Sequence, residues 1–426
     1  MAILNKGTEI ELEDGMGKIL IEKKLGEGGQ GYVYQVKYRG NDYALKWYKK
    51  GVLKTPEVFR DNLIRNIKEK APSDCFLWPL ALTKNYNGSF GYIMGLRPQG
   101  YYEFSDYLNG KREFKSIDTM LKAAIHIVDS FRVLHIKGFS YQDLNDGNFF
   151  LNPLTGDVLI CDNDNVSPFG ENSGIAGKCR YMAPAVVVGR KAPDARTDQF
   201  SLAVILFLLL LRNHPLEGET IQRKPVMTEQ MQKRYYGEIP VFIADPLNPS
   251  NRPVEGIHNN FLTRWPQMPE YIQNAFMKAF SHEVMCEDKL GVSEKEWLKL
   301  LLRFRAEIIV CPNCERETRY GRAGMPCICC KQPIQHFAWL KTQSYQIPVF
   351  RGKEIVEAFI TDSYDNNESS HLVMVVKQNK DRTKWAFQNA ETETWKTDIG
   401  EIPSQKAIII AKGMRFHLKK ELVEII

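Results

Sequence analysis

Apolar and polar positions alternate with a period of two over residues 8–50, the pattern of strands with one buried face. Ile19, Ile21 and Lys23 lead into a glycine-rich turn, and Tyr32, Tyr34, Val36 and Tyr38 alternate after it. Arg39-Gly40-Asn41-Asp42 predicts a hairpin turn before a strand at 43–47. Residues 56–69 carry helical spacing, with Val58, Phe59, Leu63 and Ile67 on one side. A further strand pair is expected around Asn87-Gly88, ending at Tyr92-Ile93-Met94. After Leu96 the period lengthens. Residues 120–136 read as a long amphipathic helix and 197–211 as a buried one. The apolar run from Leu202 to Leu211 is well short of the roughly 20 residues that span a bilayer. Residues 215–263, rich in Pro and Asn, predict long loops and one helix near 229–235. A helix over 294–309 has Ser293 as N-cap and Glu296 completing a capping box. Beyond residue 340 come short strand-like runs at 347–350, 355–360, 371–376, 385–389, 406–410 and 414–417. Pro348 restricts the first to an edge or a strand start.

A chain of 426 residues implies two to four domains. Its 43% hydrophobic and 25% charged content is that of a globular protein. The net charge of +6 comes without a dense Lys/Arg stripe, which argues against nucleic acid as a partner. Residues 1–6 lack the features of a signal peptide, and five of the nine cysteines crowd between Cys311 and Cys330. The expectation is a cytoplasmic protein without a membrane partner.

Candidate chemistry begins at Gly26-Glu27-Gly28-Gly29-Gln30-Gly31. Glycines at 26, 28 and 31 permit a tight turn and let backbone N–H groups approach phosphate oxygens. The strand-like residues after it favour a β-hairpin lid over a dinucleotide-binding turn, which would open a helix. Lys46 on the next strand is a point charge suited to phosphate, and Ala44 is small enough to lie beneath a purine ring.

The segments GEGGQGYVY, YALK, YQDLNDGN, ICDND, GKCRYMAPA and TDQFSLAVILFLLL follow one another in an order that resembles the eukaryotic-like protein kinase superfamily over roughly residues 15–305. Within it the chain is most similar to bacterial serine/threonine-like kinases found with tellurite-resistance-type or phosphatase proteins. The resemblance implies an ATP-dependent transfer of the γ-phosphoryl group to Ser/Thr hydroxyls of a protein substrate. It also implies Mg²⁺ or Mn²⁺, and a cognate phosphatase or signalling partner. Asp143 would orient or deprotonate the substrate hydroxyl, Asn148 and Asp162 would hold the metal, and Lys46 would meet the phosphates. Gly26, Gly28, Gly31, Val33, Ala44, Met94, Gly95 and Arg97 would form the nucleotide site, with Met94 as gatekeeper. Asp198 would brace the catalytic loop through backbone hydrogen bonds, unless it is only a helix N-cap.

Several positions depart from the family pattern. Tyr141 and Gln142 stand for His and Arg before the catalytic Asp, removing the usual charge partner of a phosphorylated activation loop. Asn145 replaces a lysine near the transferred group. Glu57, Asp61 and Glu69 are the candidate helix partners for Lys46, and none fits cleanly. Asp164 offers another metal ligand or a turn contact. Ala185 replaces a glutamate. Two further readings therefore stand beside an active protein kinase: a nucleotide-binding pseudokinase scaffold that recruits a partner, and a kinase acting on a small molecule.

Cys311, Cys314, Cys327 and Cys330 form two CxxC knuckles twelve residues apart, which predicts a structural four-thiolate Zn²⁺ site, with Cys329 outside it. The tail faintly resembles forkhead-associated-like β-sandwiches but lacks a phosphothreonine-binding Arg/Ser set. Trp385, Phe387 and Trp395 read as its core. The expected fold is α+β: a bilobal kinase-like fold with an N-lobe (8–96) and a helical C-lobe (97–308), then a four-cysteine zinc module (309–338) and a small all-β domain (340–426).

Overall fold

The computed structural model describes residues 3–13, 15–171, 177–224, 226–365 and 370–426. Its N-terminal lobe is a six-stranded antiparallel sheet of β1 (Glu9–Glu11), β2 (Lys18–Glu27), β3 (Gly31–Tyr38), β4 (Asn41–Tyr48), β5 (Ala81–Leu82) and β6 (Gly91–Gly95), ordered β1-β2-β3-β4-β6-β5. The predicted hairpin closes on two residues, Arg39 and Gly40, both with positive φ, and β4 starts at Asn41. Asn87 and Gly88 make a similar positive-φ turn before β6.

Helix α1 (Pro56–Glu69) has the predicted bounds and buries Phe59 and Leu63 as expected, but its buried face also takes in two asparagines and leaves out Val58. Val58 is exposed, whereas Phe59, Asn62, Leu63 and Asn66 are buried. Two asparagines enter because their amides find backbone acceptors in the other lobe, as described below.

The C-terminal lobe is built on α2 (Ile117–Ile136), α3 (Ala195–Leu211) and α4 (Glu294–Ala306). α3 is buried nearly all round and so carries no polar stripe. Ser293 caps α4 by accepting from Glu296 N at 3.3 Å, but the Glu296 carboxylate turns outward to Lys278 at 3.0 Å, so the reciprocal arm of the expected box is not made. The predicted helix near 229–235 is a short α-helix (Glu229–Lys233) continuing into a π turn (Arg234–Glu238). No helix among the described residues is long and apolar enough to cross a membrane.

Behind α4 lies a two-stranded cysteine-bearing unit (Ile308–Val310 with Glu317–Arg319), followed by two four-stranded sheets and a two-stranded one. Pro348 lies on an edge strand (Gln346–Pro348), as its missing N–H requires. The expected run at 355–360 divides into a strand (Glu354–Val356) and a helical turn (Ala358–Thr361). Phe387 and Trp395 are buried, and Trp385 packs against Phe337.

These sheets share one apolar core with the C-lobe, which continues from Phe76 to Ile425. Lys353 of the tail is half-buried and donates to Arg305 O (3.1 Å) and Ile308 O (2.7 Å) at the end of α4. Glu317 of the cysteine unit accepts from Ile117 N at 2.5 Å, satisfying a free N–H in the first turn of α2. The cysteine unit and tail are thus bound into the lobe behind the site.

Candidate active site

The loop after α2 is fixed from beneath by Asp198. Its carboxylate accepts from Tyr141 N (2.5 Å) and Gln142 N (3.1 Å). The N-cap of α3 is Asp194, which accepts from Thr197 N at 2.8 Å, so Asp198 is free to brace the loop as expected. His135 on α2 joins Asp198 (3.2 Å) to Glu294 on α4 (2.5 Å). Burial alone would lower the His135 pKa; the two carboxylates overcome it and raise it to about 9. Tyr141 is fully buried and donates its hydroxyl to Cys161 O. It ties the loop to the segment bearing Asp162 by a neutral bond. Gln142, at φ 69°, donates to Ser140 Oγ and to Glu171 O (2.7 Å), so a neutral amide stands where the family resemblance expects a guanidinium.

Asp143, Asn148, Asp162 and Lys46 converge above this brace. Asn148 donates to Asp143 O at 2.8 Å, and its amide oxygen accepts no hydrogen bond among the described residues. Burial, and then the charge of Asp162, push the Asp143 pKa up to about 6; the Asn145 hydrogen bond, Lys178 and Lys46 act in the opposite direction. Asp162 sits at φ 55°, a left-handed conformation that aspartate adopts more readily than most residues. Its side chain is 40% exposed and lies 3.2 Å from Lys46 Nζ.

The partner of Lys46 that sequence reasoning failed to find is Asp164. Its carboxylate lies 2.8 Å from Lys46 Nζ, has no solvent exposure, and accepts from Tyr48 OH at 2.5 Å. Burial would lower the Lys46 pKa, but Asp162 and Asp164 hold it raised. α1 contributes amides in place of a carboxylate. Asn62 donates to Val166 O (2.8 Å) and Asp164 O (3.4 Å), and Asn66 donates to Val166 O (2.9 Å). Among the expected candidates, Glu57, Asp61 and Glu69, none makes an ion pair with Lys46. The spacing Asp162-x-Asp164 held the only signal, and it read as a metal or turn residue.

Strand register places the remaining candidates. Val33 opposes Lys46 and Ala44 opposes Met94, so Val33, Ala44, Lys46 and Met94 share one face of the sheet. Gly95 opposes Tyr43, and the exposed Arg97 lies over the Phe150 ring at 4.3 Å. The glycines divide by role. A Cβ at Gly31 would stand 2.3 Å from Trp47 O, whereas at Gly26 and Gly28 it would meet open space. Gly31 serves the hairpin; Gly26 and Gly28 leave the turn unobstructed. At its tip Gln30 accepts from Lys46 at 3.2 Å.

A second unexpected neighbour is Lys178, whose exposed side chain donates to Asn145 Oδ1 at 2.8 Å. Asn145 in turn donates to Asp143 Oδ1 at 3.1 Å.

The four cysteines meet as predicted. Cys311 and Cys330 sulfurs are 3.9 Å apart, Cys314 and Cys327 3.7 Å, and all four lie within 4.8 Å of one another. A tetrahedron with metal–sulfur bonds of about 2.3 Å has edges of about 3.8 Å. Asn313 N and Cys329 N point at Cys311 and Cys327 sulfurs (3.4 and 3.3 Å), a knuckle geometry that favours thiolate. Cys329 is exposed and outside the cluster. The donor set fits a closed, four-coordinate metal.

Residues 19–262 match the protein kinase domain family. The chain belongs to it. The chain is 26% identical over 217 residues to the "Probable serine/threonine-protein kinase gdt4" of Dictyostelium discoideum, covering 49% of this chain and 13% of that protein. It is 24% identical over 220 residues to the serine/threonine-protein kinase sck2 of Schizosaccharomyces pombe (47% and 32%). It is 26% identical over 220 residues to the serine/threonine-protein kinase STY17 of Arabidopsis thaliana (49% and 36%). The matched segment thus spans little more than a third of these relatives at most. The family match ends before the cysteine unit and the tail.

Proposed function

We propose that this kinase is an active enzyme that transfers the γ-phosphoryl group of ATP to serine or threonine hydroxyls of a protein. The observation that carries this reading is the convergence of Lys46, Asp143, Asn148 and Asp162 on one cleft, braced by Asp198. The substrate oxygen bonds to the γ-phosphorus as the bond to the β–γ bridging oxygen breaks. ADP departs with that electron pair, and the hydroxyl proton passes to Asp143. Lys46, fixed by Asp164, offsets phosphate charge. Val33, Ala44 and Met94 line the adenine side, with Gly95 and Arg97 at its edge and Gly26, Gly28 and Gly31 in the lid.

Asn148 and Asp162 are the hard-oxygen ligands suited to Mg²⁺ or Mn²⁺, which when bound neutralises charge on the phosphates. The uncommitted amide oxygen of Asn148 and the partly exposed carboxylate of Asp162 fit that role. Cys311, Cys314, Cys327 and Cys330 would hold structural Zn²⁺.

The four proposed domains end near residues 96, 308, 338 and 426. A cytoplasmic setting rests on the clustering of cysteines in a metal-type pattern, and a place in the bacterial branch and a cognate phosphatase as partner rest on sequence resemblance. The pseudokinase reading draws on Tyr141, Gln142 and Asn145, yet all three are built into the loop by hydrogen bonds that keep Asp143 in place. Label transfer from γ-labelled ATP, compared with Asp143→Ala and Asp162→Ala, tests the proposal; label equal in all three proteins would refute it.

A further inference from the structure

The catalytic loop carries Asn145 where the family resemblance leads one to expect a cation beside the transferred phosphoryl group. A cation is nevertheless present, brought from 33 residues further along. Lys178 approaches from the stretch preceding Tyr181, and its Nζ lies 2.8 Å from Asn145 Oδ1. The same Asn145 amide donates to Asp143 Oδ1 at 3.1 Å and to Asp143 O at 3.0 Å. The carboxamide thus spans from the proposed base to the ammonium. A Cβ placed on Gly147 would stand 3.5 Å from Lys178 Nζ, and one on Gly177 would stand 3.5 Å from Asp143 Oδ1. The two glycines are where the two loops close on each other. Lys178 makes no salt bridge among the described residues, and its side chain is exposed. Its charge also acts on Asp143, opposing the upward push of burial.

We infer that Lys178 is a catalytic residue of this kinase, an exchanged phosphate cation that contacts the γ-phosphoryl group in place of a lysine at position 145. The inference rests on the nucleotide-binding reading of the cleft proposed above. A compact ammonium on a flexible stem suits a phosphoryl group, and a neutral carboxamide at 145 is what lets the two loops meet without cation–cation repulsion. Asn145 serves as a positioning residue, orienting Lys178 and Asp143 with the two ends of one amide.

The test reads nucleotide affinity and turnover separately. Parent, Lys178→Ala and Lys178→Arg are titrated with ADP and with the non-hydrolysable analogue AMP-PNP, each with Mg²⁺. The substituted side chain is exposed, so the variants keep their fold, and thermal melts check this. Lys178→Ala should lose about tenfold or more in affinity for AMP-PNP and less than twofold for ADP, with Lys178→Arg intermediate. Where the parent transfers phosphate, Lys178→Ala should lower kcat about 10²-fold. Adding Asn145→Lys to Lys178→Ala should recover much of that loss by returning the cation to the loop. Equal losses for both nucleotides, no loss for either, or no binding of either by the parent would overturn the inference. A selective AMP-PNP loss in a parent that transfers no label above Asp143→Ala would sustain Lys178 as the γ-phosphate contact and refute the proposed function alone.

Discussion

Asp164 holds Lys46. The carboxylate lies 2.8 Å from the ammonium, is closed to solvent, and is pinned by the Tyr48 hydroxyl at 2.5 Å. Both residues flanking the cleft are therefore fixed by the segment around Asp162 and by β4, with no acidic residue of α1 involved. α1 instead grips the backbone of that segment through Asn62 and Asn66. Positioning of Lys46 is thereby uncoupled from any carboxylate on α1.

Asp164→Ala should lower kcat about 10²-fold and destabilise the protein by about 3 kcal/mol, because it leaves a buried ammonium short of its partner. Glu57→Ala, Asp61→Ala and Glu69→Ala should each leave the rate within about twofold. Steady-state kinetics and denaturant melts on the four variants test this. A strong defect in one of the α1 variants with a mild one in Asp164→Ala would reverse the assignment.

The Asp143 carboxyl titrates at about 6, raised by burial and by Asp162. A base must be ionised, so kcat/KM should fall about tenfold per pH unit below pH 6 and be flat just above it. The same shift carries the opposite sign for stability. A carboxyl with its folded pKa above the unfolded value of 3.8 costs stability above about pH 6, and the cost is relieved as pH falls through 6 towards 3.8. Asp143→Asn should therefore abolish transfer while raising stability at pH 7.5 by on the order of 1–2 kcal/mol. A melt of parent and variant across pH 4–8 measures the difference, which should shrink on acidification.

His135 works the other way. Its folded pKa of about 9 lies above the ordinary value of 6.5, so its bridge between Asp198 and Glu294 contributes fully below pH 6.5. That contribution fades as pH rises through 9. His135→Asn should cost on the order of 2 kcal/mol at pH 6 and much less at pH 9.5. A constant penalty across that window would remove the charged bridge from the account.

The four-thiolate cluster should bind one zinc per chain, and Cys329→Ser should retain it. Chelation, or Cys311→Ser, should lower the unfolding midpoint by about 10 °C or more. The effect should reach the kinase lobe, because Glu317 caps the first turn of α2 and Lys353 donates to the backbone at the end of α4. Metal analysis with calorimetry checks it; a metal-free protein with unchanged melting would contradict it.

Motif order, and the family resemblance it carries, pointed to Lys46, Asp143, Asn148 and Asp162, because each falls at the offset within its motif that the family uses. Asp198 was legible as a brace for the same reason, and the cysteines by spacing. The contacts that complete the site were not legible. Asp164 reaches Lys46 across 118 residues, and Lys178 reaches Asn145 across 33, and no periodicity encodes either approach. The buried face of α1 was misread at Val58 because apolarity was the guide, whereas Asn62 and Asn66 are buried by the acceptors they meet. The turn after Val356 was missed because Ala358, Phe359 and Ile360 are buried and apolar in either conformation.

The most direct test is phosphoryl transfer itself. Purified parent, Asp143→Ala and Asp162→Ala are incubated with γ-³²P-labelled ATP and Mg²⁺ or Mn²⁺, with a panel of protein substrates, after ATP binding has been confirmed by titration. The predicted result is acid-stable label on serine or threonine from the parent, abolished in both variants. Parent protein that binds ATP yet labels neither itself nor any substrate above the variants would contradict an active kinase and favour the scaffold.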